Sequence, residues 1–232
     1  MCGRYVTPEV DDDLLERFDV DEVDGEPPAA TFNARPSFGV DDPRPPVPVV
    51  IESARDGIRR LASARWPFTP SWSKEPWLKV PTFNATSEGI AGKAMWRDAV
   101  RKHRVLLPAT GYFETHGAGK RRQRWYFHAG DDAALALGGI YSWWRADANA
   151  PWRLTVAIIT IPAPEPASRI HDRAPLVLPR EWWDTWLDPT AAADQGFVDA
   201  AAAASAPLVA GLAHHEVAWL DADGPEMIER SA

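Results

Sequence analysis

The single cysteine of this 232-residue chain stands at position 2, in Met1-Cys2-Gly3-Arg4-Tyr5. Loss of Met1 leaves an α-amine and a thiol on neighbouring carbons, a 1,2-aminothiol. Such a group condenses with an aldehyde: the amine forms an imine, and the sulfur then closes a five-membered thiazolidine on the same carbon. An internal cysteine cannot do this, because its nitrogen is held in a peptide bond. A lone cysteine also packs well as a small buried hydrophobe, and its reactivity is set by surroundings that position alone does not reveal. No apolar stretch precedes Cys2, and Gly is not at position 2, so neither a lipid-anchored cysteine nor myristoylation is expected.

Three internal clusters carry further chemistry. In Gly111-Tyr112-Phe113-Glu114-Thr115-His116, strand alternation puts Tyr112 and Glu114 on one side and Phe113 on the other. A carboxylate shielded from water has a raised pKa and passes protons to and from an amine, although a Glu here also suits a plain surface. In Ile170-His171-Asp172-Arg173, His171 suits general acid work near neutral pH, with a structural histidine beside an Asp172–Arg173 ion pair as the alternative. The third cluster runs from Trp66 to Trp72 and continues in Phe83-Asn84-Ala85-Thr86-Ser87-Glu88. Prolines surround Trp66 and Trp72, which places at least one of them at a rim, where aromatic rings stack unpaired bases at about 1–3 kcal/mol per base. The Asn84 amide both donates and accepts, and so can orient an amine or an opened sugar.

Composition sets the frame for these residues. With 45% hydrophobic and 25% charged residues the chain is an ordinary globular protein, long enough for a substantial core and read as one domain over residues 1–232. No segment approaches the roughly eighteen apolar residues of a membrane span, and one cysteine excludes an internal disulfide framework, so a cytoplasmic location is expected. The net charge of −8, rich in aspartate and with arginine favoured over lysine, suits concentrated salt and argues against a nucleic-acid partner. Residues 92–124 go the other way. Lys93, Arg97, Arg101, Lys102, Arg104, Lys120, Arg121, Arg122 and Arg124 face only Asp98 and Glu114, a local balance of +7 that marks either a binding zone or a solvated helix face and hairpin tip.

The elements that must position these groups are mostly short strands. Thr7-Pro8-Glu9 reads as the start of a helix over residues 8–18, and the Pro-, Asp- and Gly-rich stretch 19–46 as an extended surface segment. A hairpin is expected from 47–51 and 57–66, with a helix through Ala91, Ala94, Met95 and Val100, capped by Asn84 or Ser87, whose other side carries Lys93, Arg97 and Arg101. Strands follow at 104–107, 111–116, 124–128, 134–144 and 153–161, with Gly117 and Gly119 marking a turn. Helices are expected at 181–187 and 190–203, and an edge strand at 215–219. The order is not a regular βαβ alternation, which indicates an α+β domain, mainly antiparallel sheet or open barrel, with flanking helices.

Taken in order, these motifs resemble the SRAP family, the SOS response-associated peptidase or abasic-site processing proteins. The resemblance is collinear: Cys2-Gly3-Arg4-Tyr5, Phe32-Asn33-Ala34-Arg35-Pro36-Ser37, Arg65-Trp66 to Trp72, Phe83 to Glu88, Trp96-Arg97-Asp98-Ala99, Arg104 to Ala109, Gly111-Tyr112-Phe113-Glu114, Gly138-Gly139-Ile140-Tyr141 and Ile170 to Arg173. It implies that Cys2 is the nucleophile once Met1 is lost, with Asn84, Glu114 and His171 around it. It implies single-stranded DNA as the ligand, crosslinked through a thiazolidine to an abasic site, with Arg4, Pro36, Trp66 and Arg97 contacting DNA. No metal or cofactor is expected, and a monomer is. Weak lyase activity and autoproteolytic loss of Met1 are further expectations.

Two positions depart from the family pattern. Thr86 stands where a phosphate-binding arginine is usual, and Thr115 where an aromatic usually follows the motif glutamate. The first is expected either to weaken DNA affinity or to shift the phosphate contacts toward the arginines of residues 120–124. Two other readings of the residues stay open: an amidohydrolase with an N-terminal cysteine nucleophile, and a non-covalent single-strand binding module.

Overall fold

The computed structural model describes residues 2–37, 42–130, 134–219 and 221–231, so Met1 and residues 38–41 of the expected extended segment lie outside it. Within the described residues the chain runs β1 Tyr5–Thr7, α1 Asp12–Arg17, β2 Glu22–Val23, β3 Thr31–Ala34, β4 Val47–Glu52, β5 Arg59–Ala64 and β6 Asn84–Thr86. It continues as α2 Arg97–Lys102, β7 Arg104–Ala109, β8 Gly111–His116, β9 Gln123–His128, β10 Leu135–Trp144 and β11 Arg153–Pro162. The last elements are β12 Arg173–Pro175, α3 Trp183–Leu187, α4 Gln195–Gly211 and β13 Ala213–Val217.

Two sheets form. One has the order β13-β9-β8-β1-β3; the other runs β12-β11-β10-β7-β4-β5-β2, with β6 added in parallel beside β11. The apolar, β-branched runs of β4, β7, β10 and β11 are buried almost throughout, as expected of strands covered on both faces. The larger sheet curls until Arg65, just beyond β5, bridges Thr155 of β11. It does not close into a barrel, and the architecture is mixed α+β with few helices. Gly111 is required where the two sheets turn into each other, because a Cβ there would lie 2.5 Å from the Phe127 carbonyl oxygen.

Several expected boundaries move for local reasons. Thr7 belongs to β1, and the first helix begins instead after Asp11, whose carboxylate accepts from the Leu14 amide at 2.9 Å. The stretch 19–46 is not wholly irregular, since β2 and β3 pair with β5 and β1. The helix expected around residues 91–100 is broken: a single tight turn spans Ile90–Gly92, and α2 starts only at Arg97. Lys93 is therefore not on a helix face with Arg97 and Arg101. The C-terminal helix starts after Asp194, which caps the Phe197 amide at 2.9 Å, and runs through the alanine tract, the best helix formers, to Gly211.

Candidate active site at the chain start

Strands β1 and β8 bring the chain start to the interior. They pair antiparallel with Tyr5 opposite Tyr112, and the Phe113 amide donates to the Arg4 carbonyl at 2.9 Å. Alternation then decides which side chains meet. Tyr5, Tyr112 and Cys2 enter the main hydrophobic core, whereas Val6 and Phe113 join a separate small cluster with Tyr126, Val217 and Met227. Glu114, two residues beyond Tyr112, lies on the Tyr112 face and is almost fully buried. Trp125 of β9 is its direct cross-strand partner.

The other two side chains arrive from the second sheet. Asn84 opens β6, held beside Ile158 of β11, and its Nδ2 donates to the Cys2 carbonyl at 2.8 Å. His171 follows the turn Ala167–Arg169, where its amide donates to the Ala167 carbonyl at 3.1 Å, and its Nε2 stands 3.9 Å from Glu114 Oε2. Cys2, Asn84, Glu114 and His171, drawn from four separate segments, thus gather at one place. A polar frame ties the two approaches together. Arg173 Nη2 donates to Glu88 at 2.9 Å, and Gln195 of α4 donates to the Ser87 carbonyl at 2.9 Å while accepting from the Ala91 amide at 3.2 Å. The Arg173 hydrogen bond holds the Glu88 carboxyl down at about 2.

The electrostatics of the cluster suit proton transfer. Burial pushes the Cys2 thiol well above its usual range, and the nearby Glu114 charge adds to that, so the resting group is the neutral thiol. Among the described residues the thiol finds an acceptor in the Arg4 carbonyl, at 3.9 Å. Burial likewise raises the Glu114 carboxyl to about 7, where it exchanges a proton readily at neutral pH. Burial lowers His171, which favours the uncharged ring. Its Nδ1 accepts from the Arg173 amide at 3.0 Å in that form, leaving the proton on Nε2 toward Glu114, and a charged ring has Asp172 Oδ1 at 2.9 Å from Nδ1. Three further polar atoms in this enclosure, Tyr5 Oη, Tyr112 Oη and Asn84 Oδ1, are buried without a hydrogen-bond partner among the described residues. Sequence reasoning placed Tyr112 beside Glu114 but missed both hydroxyls; the signal was a phenol, rather than a phenylalanine, at two inward positions of paired strands.

The expected DNA-contacting residues fare differently. Trp66 is only 2% exposed, packs edge-on against Tyr5 with centroids 5.4 Å apart, and donates its indole N–H to the Phe83 carbonyl at 2.7 Å. It has no open face for a base, which corrects the expectation, and Trp72 of the same loop, 60% exposed, is the one at the rim. Pro36 is also buried, its carbonyl accepting from Arg44. Arg97 is exposed at the start of α2 and pairs with Asp98 at 3.4 Å. Arg4 is partly buried beside the nucleophile. The basic zone is not one surface, since Arg104 and Arg124 are buried. At the first departure from the family pattern, Thr86 Oγ1 accepts from Lys93 Nζ at 2.9 Å, so an exposed cation stands over that position after all.

The fold and sequence have clear relatives. An abasic site processing protein of Bacillus subtilis, YoaM, is 28% identical over 191 residues, covering 82% of this chain and 80% of the relative. YedK of Escherichia coli, also named an abasic site processing protein, is 27% identical over 193 residues, covering 81% and 79%. Among solved structures, a Bordetella bronchiseptica protein superposes with a TM-score of 0.72 at 20% identity, over 94% of this chain and all of the other. The family model described as SOS response associated peptidase (SRAP) matches residues 1–218, and the chain belongs to that family.

Proposed function

We propose that this chain, as one SRAP domain, processes abasic sites in single-stranded DNA by covalent capture through Cys2 after Met1 is removed. The observation that carries the reading is the meeting of the chain start with a buried acid: Asn84 grips the Cys2 carbonyl, while Glu114 and His171 stand 3.9 Å apart beside it. Relatives named as abasic site processing proteins support the same substrate.

The chemistry follows from these groups. As the abasic sugar opens to its aldehyde, the uncharged His171 ring takes the proton of the anomeric hydroxyl and a proton is delivered through it to the ring oxygen, with no net change of charge. The Cys2 α-amine adds to C1, and the resulting carbinolamine loses water to give the imine, with Glu114 moving the protons at nitrogen and oxygen. The Cys2 sulfur then bonds to the same carbon; its proton passes to Glu114 and the nitrogen regains one, closing the thiazolidine. One water is released overall and nothing is oxidised or reduced. A slow ring closure leaves the imine open to β-elimination, which predicts weak lyase activity at the same site. Glu114 is also the base proposed here for removal of Met1.

The test is incubation of the Met1-processed protein with a single-stranded oligonucleotide bearing one abasic site, followed by denaturing electrophoresis and intact mass. A boiling-resistant adduct at the combined mass less one water is expected, and Cys2→Ala should abolish it. Turnover of amides by the processed chain, lost in Cys2→Ala, would favour the amidohydrolase instead; strand binding without adduct would favour the non-covalent module. No helix among the described residues is long and apolar enough to cross a membrane.

A further inference from the structure

Arginines from separate segments meet at one corner beside the nucleophile. Arg4 is the nearest, since its carbonyl accepts from both the Cys2 thiol and the Phe113 amide. Arg35, just after β3, and Arg44, ahead of β4, line a cavity of about 370 Å³ with Thr31, Asn33, Asp221 and Asp223, the Asp223 carboxylate being held by Thr31 Oγ1 at 2.8 Å and by the Phe32 amide at 2.7 Å. Asp221 pairs with Arg35 at 2.9 Å, and Asp42 with Arg44 at 3.6 Å. Burial, followed by the charges of Arg124 and Arg35, lowers Arg4 to about 10, so these cations crowd one another. Two of their N–H groups, Arg4 Nη1 and Arg35 Nε, are enclosed without any acceptor among the described residues.

Such an arrangement asks for an anion with several oxygens. An enclosed N–H without an acceptor is costly, and like charges at close range repel; a phosphodiester relieves both. The corner also has an aromatic side. Arg124 lies 4.2 Å from the ring centroid of Trp219 and Arg122 lies 4.8 Å from it, while Trp219 itself is 51% exposed. An exposed indole next to an anion cradle matches a nucleotide, which carries a π-face and a phosphate on one sugar.

We propose that this corner holds the nucleotide flanking the captured sugar, its phosphodiester in the Arg35–Arg44 cavity and its base against Trp219. Arg4 joins the two sites, because its guanidinium belongs to the corner and its carbonyl to the Cys2 enclosure. In the absence of a strand Asp221 occupies Arg35, and the phosphate displaces it. The inference rests on the single-strand reading above and adds to it a second contact point that positions the lesion.

The molecule contains its own control. Arg145 lies 4.4 Å from the ring centroid of Trp152, which is 55% exposed, so the same residue pair recurs at the β10–β11 connection. No enclosed, acceptor-free guanidinium N–H accompanies it among the described residues. Binding of undamaged labelled single-stranded oligonucleotides to the processed full chain, measured across a salt series, separates the two pairs. Arg35→Gln should weaken binding about tenfold at low salt and shrink the slope of log K against log salt by about 0.7, the contribution of one phosphate on a single strand. Trp219→Ala should weaken binding at least about fivefold while leaving the salt slope unchanged, since it removes a stacked base and no phosphate contact. Arg145→Gln and Trp152→Ala should bind like the unaltered chain. An unchanged salt slope in Arg35→Gln, or a Trp219→Ala chain that binds every strand normally, overturns the proposal. Failure of the unaltered chain to bind single strands would instead remove the functional reading beneath it.

Discussion

Arg104 and Glu114 are ionisable residues on consecutive strands, both with almost no solvent exposure, and they are held in opposite ways. Arg104 spends its donors on backbone. Nε donates to Trp186 O at 2.7 Å, Nη1 to Val100 O and Arg101 O at 3.0 and 2.8 Å, and Nη2 to Ala191 O at 3.0 Å and to Asp188 O. Those carbonyls include the open ends of α2 and α3, so the guanidinium works as a shared C-terminal cap. Around Glu114 the enclosure is only partly satisfied among the described residues: the thiol has one long contact there, and two phenols and an amide oxygen have none. Full satisfaction marks a part of the architecture, whereas a half-satisfied polar enclosure marks a place prepared for a ligand.

The sharpest way to break this contrast is to exchange stability for chemistry at the two sites. Cys2→Ala should abolish adduct formation while shifting the urea midpoint little, since the change removes one buried sulfur. Arg104→Met should do the reverse, lowering unfolding free energy by about 3 kcal/mol or more as several carbonyls lose their donors. The folded fraction of Arg104→Met should still crosslink. Loss of crosslinking in fully folded Arg104→Met would sink the distinction.

Glu114→Gln comes next, and its two effects have opposite signs. A carboxyl raised from its ordinary range to about 7 resists ionisation in the folded chain, so folding favours the protonated form. The penalty is absent below the unfolded pKa, grows as pH rises between about 4.5 and 7, and is complete above the folded pKa. Glu114→Gln should therefore be more stable than the unaltered chain at pH 8, by up to about 3 kcal/mol, and equal to it near pH 4. Adduct formation should meanwhile slow by about 10²–10⁴-fold, the usual worth of a positioned acid or base. Urea unfolding at the two pH values checks the first effect and single-turnover kinetics the second. A variant destabilised at pH 8 would show that Glu114 is a structural residue.

Much of this contrast was legible in the sequence, and the parts that were not share a cause. Cys2, Glu114 and His171 were found because their residue types state their chemistry, and the alternation of Gly111 to His116 gave the face of Glu114 correctly. Their meeting was not legible, because it depends on β6 pairing with β11 and on β1 inserting beside β8, contacts between distant segments that no local pattern encodes. Which of Trp66 and Trp72 stands at the rim was not legible, because the prolines around them signal a loop but not which loop residue turns inward. Arg104 looked like one more charge in a basic run, since nothing nearby in sequence reveals that helix ends converge on it. The broken helix at residues 90–97 similarly removed the basic stripe that a regular spacing suggested.

The smallest expected effect sharpens the comparison most finely, because it concerns one oxygen atom. Tyr112 Oη is buried and has no hydrogen-bond partner among the described residues, while its ring stacks on Phe127 with centroids 5.0 Å apart. The ring therefore accounts for the packing, and the hydroxyl adds only the cost of desolvation, roughly 1–3 kcal/mol for a group left unsatisfied. Tyr112→Phe keeps the stack and removes that cost, so it should leave the urea midpoint unchanged or raise it. The same change takes a donor and acceptor out of the enclosure shared with Cys2 and Glu114, and so should slow adduct formation about tenfold at saturating DNA. A stability loss with an unchanged rate would mean that a bound water already satisfies the hydroxyl and that this part of the enclosure resembles Arg104 after all; the predicted opposite pattern would extend the reactive set from four side chains to five.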